Sequence, residues 1–270
     1  MEARVYESFR EIVYQTSGIS LGPDKQELVA ARVGKRLRVL GLQKPEEYLA
    51  LVRRDPEEIV GLLDVISTNF TSFFRGQDHF DLLAQKFQEY LAAGQTRFRY
   101  WSAACSTGVE PYSMLMTLDS IKPLASLDFK VLATDISTRA LGQAQSASYQ
   151  KKVVDPVPAE WKKKYFDERP GEREPVWVVK PELRRHVVFR RLNLSQPPFP
   201  MSGPMDCVFC RNVMIYFDQP VRQRLISEIE RLLRPEGILF VGHSETLTGI
   251  ECEFRAVQAA TYAKPQRTTR

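Results

Sequence analysis

Two acids, each set at the end of an apolar run, carry the first chemistry legible in this 270-residue chain. Tyr100–Met116 reads YWSAACSTGVEPYSMLM: apolar and aromatic residues, then Cys105-Ser106-Thr107-Gly108, then Glu110 and Pro111. The pattern predicts a buried strand, a tight turn and a helix opening with Pro111 at an early position. Free backbone N–H groups and a helix N-terminus at such a turn suit a nucleotide-like ligand. Glu110 argues against phosphate, since its charge repels a pyrophosphate and suits a cationic amino group. One glycine stands where a dinucleotide fingerprint has three, which disfavours a nicotinamide cofactor. The second acid, Asp135 in ATDIS, ends the apolar run Phe129–Thr134. It follows the turn by about 25 residues, where an acid accepts hydrogen bonds from both hydroxyls of a ribose. The competing reading is an N-cap for a helix Ser137–Ala147, a task Ser137 can fill instead.

Other chemistry-bearing residues are more ambiguous. In Asn69-Phe70-Thr71-Ser72-Phe73-Phe74-Arg75 polar residues alternate with aromatics, placing Asn69, Thr71 and Phe73 on one side if the segment is extended. Composition alone leaves it as a hinge between domains. Cys207 and Cys210 have CxxC spacing but sit in an apparent strand, where residues three apart face opposite ways. No second Cys or His pair lies near, so buried thiols are expected and no metal site. His79, His186 and His243 are scattered, and no Ser–His–Asp or Cys–His set is visible.

The elements that position these residues follow two rhythms. Met1–Ser67 reads as helices: Val5, Phe9, Ile12 and Val13 recur at helical spacing, and Gly18 and Gly22-Pro23 break the pattern. Asp24 is placed to cap a second helix ending near Gly41, with Val29, Val33, Leu37 and Leu40 as its apolar stripe. Arg32 and Arg36 share a flank of that stripe with Lys25, either as a docking face for an acidic helix or as an ordinary solvated edge. Pro45 and Pro56 open two more helices. After a helix at Asp78–Ala92, strands and helices alternate, which implies a parallel sheet with covered faces. Lys151–Leu192 interrupts that rhythm with prolines, a charged helix-like piece at Glu160–Phe166, and β-rich runs at Val176–Lys180 and His186–Leu192. It reads as an inserted antiparallel subdomain with a candidate edge for protein binding. The core resumes with a strand at Asp206–Ile215, a helix at Gln219–Leu233 and a strand at Ile238–Gly242; Phe254–Lys264 reads as a closing antiparallel edge.

Hydrophobic content is 43% and net charge is +5. The insert holds an excess equal to the whole chain's, suited to nucleic acid, an acidic protein or only water. No stretch approaches the roughly 20 apolar residues of a membrane span, and Met1–Arg10 is too polar for a secretory signal. The cysteines fit a reducing compartment.

Taken together, NFTSFFR at 69–75, WSAACSTGVEPYSM at 101–114, ATDIS at 133–137 and CRNVMIYFD at 210–218 resemble the CheR-type chemotaxis receptor methyltransferases. GHSETL at 242–247 strengthens the likeness. The resemblance implies an α/β fold: a Rossmann-like S-adenosylmethionine-dependent methyltransferase domain, an N-terminal helical domain and an inserted small antiparallel β-subdomain. The corresponding boundaries are 1–67 for the helical domain, 68–80 for a linker and 81–270 for the catalytic domain, with 150–192 as the insert. It further implies protein-glutamate O-methyltransferase activity on the cytoplasmic helices of chemoreceptors, with S-adenosylhomocysteine as product and a cytoplasmic location. Matched motif by motif, Asn69, Thr71, Arg75, Glu110, Asp135, Asn193, Leu194, Arg211 and Asn212 are expected to touch the cofactor. Arg75 and Tyr216 are expected near the transferred methyl, and Arg32 and Arg36 at the receptor. Some members of the family grip a receptor-tail peptide on the β-subdomain. The family turn often has Glu at the position of Val109; Glu110 is the acid assigned here.

Methyl transfer to a carboxylate is an in-line displacement at a sulfonium carbon. The attacking glutamate is already anionic at neutral pH, so no strong base is required. Orientation and proximity then dominate, contributing up to about 7–11 kcal/mol. Arg75 is suited to fork the carboxylate and Tyr216 to aim it, against the plainer readings of an interdomain salt bridge and a core tyrosine. Two alternatives from other classes are a cofactor-binding module without turnover and a nucleic-acid methyltransferase. The second lacks an NPPY-type motif, since Asn212-Val213-Met214-Ile215 has no proline pair. The expected inventory is therefore S-adenosylmethionine, a receptor partner, no metal, no nucleic acid and no membrane insertion.

Overall fold

Helices α1 (Ala3–Ser17), α2 (Gln26–Leu40), α3 (Pro45–Arg54) and α4 (Pro56–Ile66) gather around one apolar cluster built from Phe9, Val13, Val33, Tyr48, Val52 and Leu62. This is a computed structural model, and it describes residues 1–266; the last four residues of the expected catalytic domain lie outside the described residues. Gly18 and Gly41 end α1 and α2 in left-handed conformations, φ 71° and 70°, that β-carbon-bearing residues adopt with strain. Pro45 and Pro56 open α3 and α4, and the Asp55 carboxylate accepts from Glu57 N at 2.9 Å. Asp24 does not cap α2. It lies in a 3-10 turn that precedes the helix and pairs with Lys25.

The rest of the chain winds through α5 (Gln77–Ala92), β1 (Arg97–Ser102), α6 (Val109–Ile121), β2 (Asp128–Asp135) and α7 (Thr138–Ser146). Next come β3 (Ser148–Gln150), α8 (Lys151–Val154), α9 (Ala159–Tyr165), β4 (Phe166–Arg169), β5 (Val176–Val179), α10 (Pro181–Arg184) and β6 (Val187–Arg191). The chain closes with β7 (Met205–Cys210), α11 (Gln219–Leu232), β8 (Leu233–Val241), β9 (Arg255–Gln258) and β10 (Thr261–Ala263). The main sheet has the order β6-β2-β1-β7-β8-β10-β9. Its first five strands are parallel, and β10 and β9 add antiparallel at the far side.

Alternation along β7 sends Cys207 and Phe209 into one apolar layer and Val208 and Cys210 into the other. The two thiols therefore lie on opposite faces of the sheet. Trp101 and Tyr100 divide in the same way, each fully buried.

A second sheet, β3-β5-β4, is antiparallel and small. The run 186–192, read from sequence as part of that insert, joins the main sheet instead. As β6 it pairs parallel to β2, with Phe189 opposite Ala133 and Arg191 opposite Asp135. A short β-rich run does not declare its partner, and here the neighbour across the sheet decided it.

Candidate functional site

In this sheet the chain runs outward from β1 through β2 to β6, then returns to place β7 on the other side of β1. Loops leaving the carboxyl ends of β1 and β7 therefore diverge, which opens a crevice at the switch point. One cavity lies there, lined from β1 by Ala103 and Ser106, from β2 by Asp135, from β6 by Asn193, and from β7 by Arg211 and Asn212. Its remaining wall comes from the N-terminal helices and the segment 66–75. Asn69, Thr71, Arg75, Glu110, Asp135, Asn193, Leu194, Arg211, Asn212, Tyr216 and Arg32 all line it; Arg36 does not.

Gly108 precedes α6 with φ 86°, and a β-carbon there would come within 2.8 Å of Ala144 Cβ. That close approach lets the turn sit against α7. Glu110, in the first turn of α6, accepts from Ser102 Oγ at 2.8 Å and from Arg211 Nη1 at 3.3 Å. Burial pushes its carboxyl above the usual range, and Arg211 partly offsets this. The Arg211 side chain is itself only 3% exposed. Its Nη2 donates to the Arg75 carbonyl, and its Nε is buried without a partner.

Asp135 is buried, and burial raises its pKa although backbone donors at Ser137, Ser106 and Ile136 work against that. Oδ2 accepts from Ser106 N at 2.8 Å and Oδ1 from Ser137 N at 2.9 Å. The acid thus shapes the turn as well as facing the cavity, and each oxygen keeps one further acceptor site. Ser137 caps α7 by accepting from Ala140 N at 3.1 Å, so Asp135 is not needed as the N-cap. Asn193 spans the two domains, donating to Thr16 O at 2.6 Å and accepting from Ser195 N at 3.1 Å.

The segment 69–75 is not extended. The consecutive residues Asn69, Phe70, Thr71 and Ser72 all line the cavity, so the two-residue alternation fails, and the chain turns at Phe74 (φ 55°) and Gly76 (φ 73°). Asn69 and Thr71 face the cavity, whereas Phe73 is buried against Tyr149 and Phe166 with ring centroids at 5.3 and 5.7 Å. Ser106 Oγ donates to Asn69 O at 3.2 Å, tying this segment to the turn after β1. Arg75 is exposed at the rim; Nη1 donates to Phe70 O at 3.2 Å, and Phe70 is 79% exposed.

The arginine flank on α2 has partners inside the chain. Arg32 donates through Nη1 to the Ile66 carbonyl and through Nη2 to Thr68 Oγ1 at 3.0 Å, and burial lowers its pKa. Arg36 forms a fork with Glu58, both contacts at 2.7 Å, and Tyr48 Oη donates to the same carboxylate at 2.8 Å. Arg36 is thus paired within the helical domain, whereas Arg32 ties that domain to the start of the linker at the cavity wall. The exposed cations of α2 are Lys35 and Arg38. Helical spacing identifies a shared face but not the partners, which lie 34, 36 and 22 residues away.

Sequence reading also missed Glu245, which lies outside the cavity lining but receives four backbone N–H groups: Asn212, Val213, Ile215 and Gly242. Its only sequence signal was the GHSETL stretch. A third cluster, Asp78, His79 and His243, brings ligand-type atoms within 4.8 Å of one another. The two imidazoles stack at 4.5 Å and 11°, so their in-plane lone pairs run side by side and do not converge on one ion. His243 Nε2 instead meets the Asp78 carboxylate at 2.9 Å.

Comparison with known proteins adds the following. Residues 4–67 match the CheR methyltransferase all-alpha domain, and residues 69–263 match the CheR methyltransferase SAM-binding domain. Chemotaxis protein methyltransferase 2 of Pseudomonas aeruginosa is 39% identical over 260 residues, covering 96% of this chain and 92% of that protein. The chemotaxis protein methyltransferase of Escherichia coli is 38% identical over 255 residues, covering 94% and 88%. That of Borreliella burgdorferi is 36% identical over 263 residues, covering 94% and 92%.

Proposed function

The chain belongs to the CheR methyltransferase family, and from that premise we propose that it methylates glutamate side-chain carboxylates on the cytoplasmic helices of chemoreceptors. It is an S-adenosylmethionine-dependent methyltransferase of the chemotaxis type, acting on receptor substrates. The products in this reading are glutamate methyl esters and S-adenosylhomocysteine. The observation that carries it is a cavity that combines the buried Asp135 and the largely buried Glu110 with Arg75 and Tyr216.

The residues fit the cofactor. Glu110 suits an α-ammonium group, and the Arg211 guanidinium beside it suits the neighbouring carboxylate of a methionyl end. Asp135 has acceptor sites left for ribose hydroxyls, and Asn193 and Leu194 line the wall on the adenine side. When bound, S-adenosylmethionine supplies an electrophilic methyl on a sulfonium. The chain's own work is to hold and aim. Arg75 forks the incoming glutamate, because its guanidinium spends one donor on Phe70 O and keeps the others for solvent or ligand. Tyr216 orients that carboxylate through its hydroxyl. No proton need move, since the acceptor is already ionised at neutral pH.

No helix among the described residues is long and apolar enough to cross a membrane. The receptor helices methylated in this reading are cytoplasmic, which places the reaction there. The edges β3 and β4 of the small sheet, with the basic insert around them, support docking of an extended receptor-tail peptide by strand addition. Incubation with methyl-labelled S-adenosylmethionine and receptor cytoplasmic fragments tests the main reading. Base-labile methyl esters are expected; label that survives base treatment, or no transfer to any receptor, contradicts it.

A further inference from the structure

We propose that Glu245 is a positioning residue for methyl transfer: its buried carboxylate fixes the turn 212–216 and thereby the aim of the Tyr216 hydroxyl. The inference rests on the role given to Tyr216 above.

Glu245 is 8% exposed and follows β8, beside the end of β7 in the sheet, where Cys210 pairs with Val241. One oxygen accepts from Asn212 N at 2.7 Å and from Gly242 N. The other accepts from Val213 N at 2.9 Å and Ile215 N at 3.2 Å. Four donors fill all the acceptor sites a carboxylate offers, so nothing remains for a ligand. The side chain therefore acts only through the backbone it gathers.

That backbone needs gathering. After β7 the chain turns away through Asn212 at φ 56°, and its N–H groups converge on one side with no strand or helix partner to take them. An anion is the natural centre for such a concave set of donors. Tyr216 ends the short 3-10 turn Met214–Tyr216 that this arrangement sets up. On its other side the Tyr216 carbonyl accepts from Ser20 N at 2.7 Å. The tyrosine is thus held between the carboxylate hub and the helical domain.

Glu245→Gln keeps the volume but offers one acceptor and turns an NH2 toward backbone donors. The experiment compares wild type, Glu245→Gln, Tyr216→Phe and the double variant, reading kcat with receptor fragment and S-adenosylhomocysteine affinity by calorimetry. Glu245→Gln is expected to lower kcat by roughly 10- to 100-fold, the scale of a misplaced reacting group, with product affinity changed less than about fivefold. The double variant is expected to be no slower than the slower single variant, because both changes remove one aim. Multiplied losses in the double variant, an unaltered kcat, or a loss of product affinity that matches the loss of kcat would each overturn the proposal. Should Glu245→Gln not fold, Glu245→Asp takes its place under the same criteria, since it keeps the charge but retreats by one methylene. If Tyr216→Phe alone leaves kcat unaltered, the role of Tyr216 fails first and this inference with it. A slow Tyr216→Phe beside a normal Glu245→Gln removes the inference alone.

Discussion

Glu110→Gln separates a charge at the amino end of the cavity from a mere hydrogen-bond acceptor there. In the structure one Glu110 oxygen accepts from Ser102 Oγ at 2.8 Å and the other from Arg211 Nη1 at 3.3 Å; glutamine keeps its one oxygen for Arg211 and turns its NH2 to the Ser102 hydroxyl, which can accept. What it loses is the anion facing the cofactor's ammonium. A hydrogen bond to a charged group contributes about 1.5–3 kcal/mol net, so affinity is expected to fall by roughly 10- to 150-fold at neutral pH. The pH profile gives an independent sign. Burial raises the Glu110 pKa, and a bound cation favours the ionised form, so wild-type affinity grows as pH rises through the raised pKa and is flat above it. The glutamine variant has no such slope. Calorimetry with S-adenosylhomocysteine, which keeps the amino end but not the sulfonium, from about pH 5 to about pH 8 measures both effects. Glutamine binding as tightly as glutamate, or a wild-type affinity that falls with rising pH, refutes the assignment.

Three further outcomes test the frame around the site. Gly108→Ala places a β-carbon 2.8 Å from Ala144 Cβ at φ 86°, so it should cost roughly 1–3 kcal/mol in chemical denaturation and weaken cofactor binding as the turn leaves α7. Arg36→Ala removes the fork on buried Glu58 and should lower stability by about 1.5–3 kcal/mol while leaving the receptor KM unchanged; a raised KM would restore a docking role. Since the Arg36 hydrogen bond holds the Glu58 pKa below its unfolded value, that contribution is present above about pH 4.3 and is lost as pH falls through the folded value. His79, pushed down to about 4 chiefly by burial, stays neutral while the unfolded chain takes up a proton near about pH 6.5. Stability should therefore fall by roughly 3 kcal/mol as pH drops through that window, and His79→Phe should flatten the slope in urea titrations.

What the sequence made legible was local. The turn between β1 and α6 follows from an apolar run, a glycine and an early proline within a few residues, and the acids at 110 and 135 sit where strand ends put them. Periodicity likewise found the four N-terminal helices and the opposed faces of Cys207 and Cys210. The misses are all long-range. Arg32 and Arg36 looked free because their acceptors, Ile66, Thr68 and Glu58, come from another helix and the chain beyond it. The strand at 187–191 was assigned to the wrong sheet because parallel partners are chosen by tertiary packing. Glu245 has no local pattern at all; its importance appears only once the N–H groups at 212, 213 and 215 are seen to lack strand partners.

The strap between α1 and α2 bears on traffic through the enzyme. Ile19 bridges to Phe217 and Ser20 holds the Tyr216 carbonyl, while Ser17, Leu28 and Val29 complete the cavity wall on that side. Passage of donor or product through this side of the cavity therefore requires the latch to let go, and letting go also frees the Tyr216 backbone.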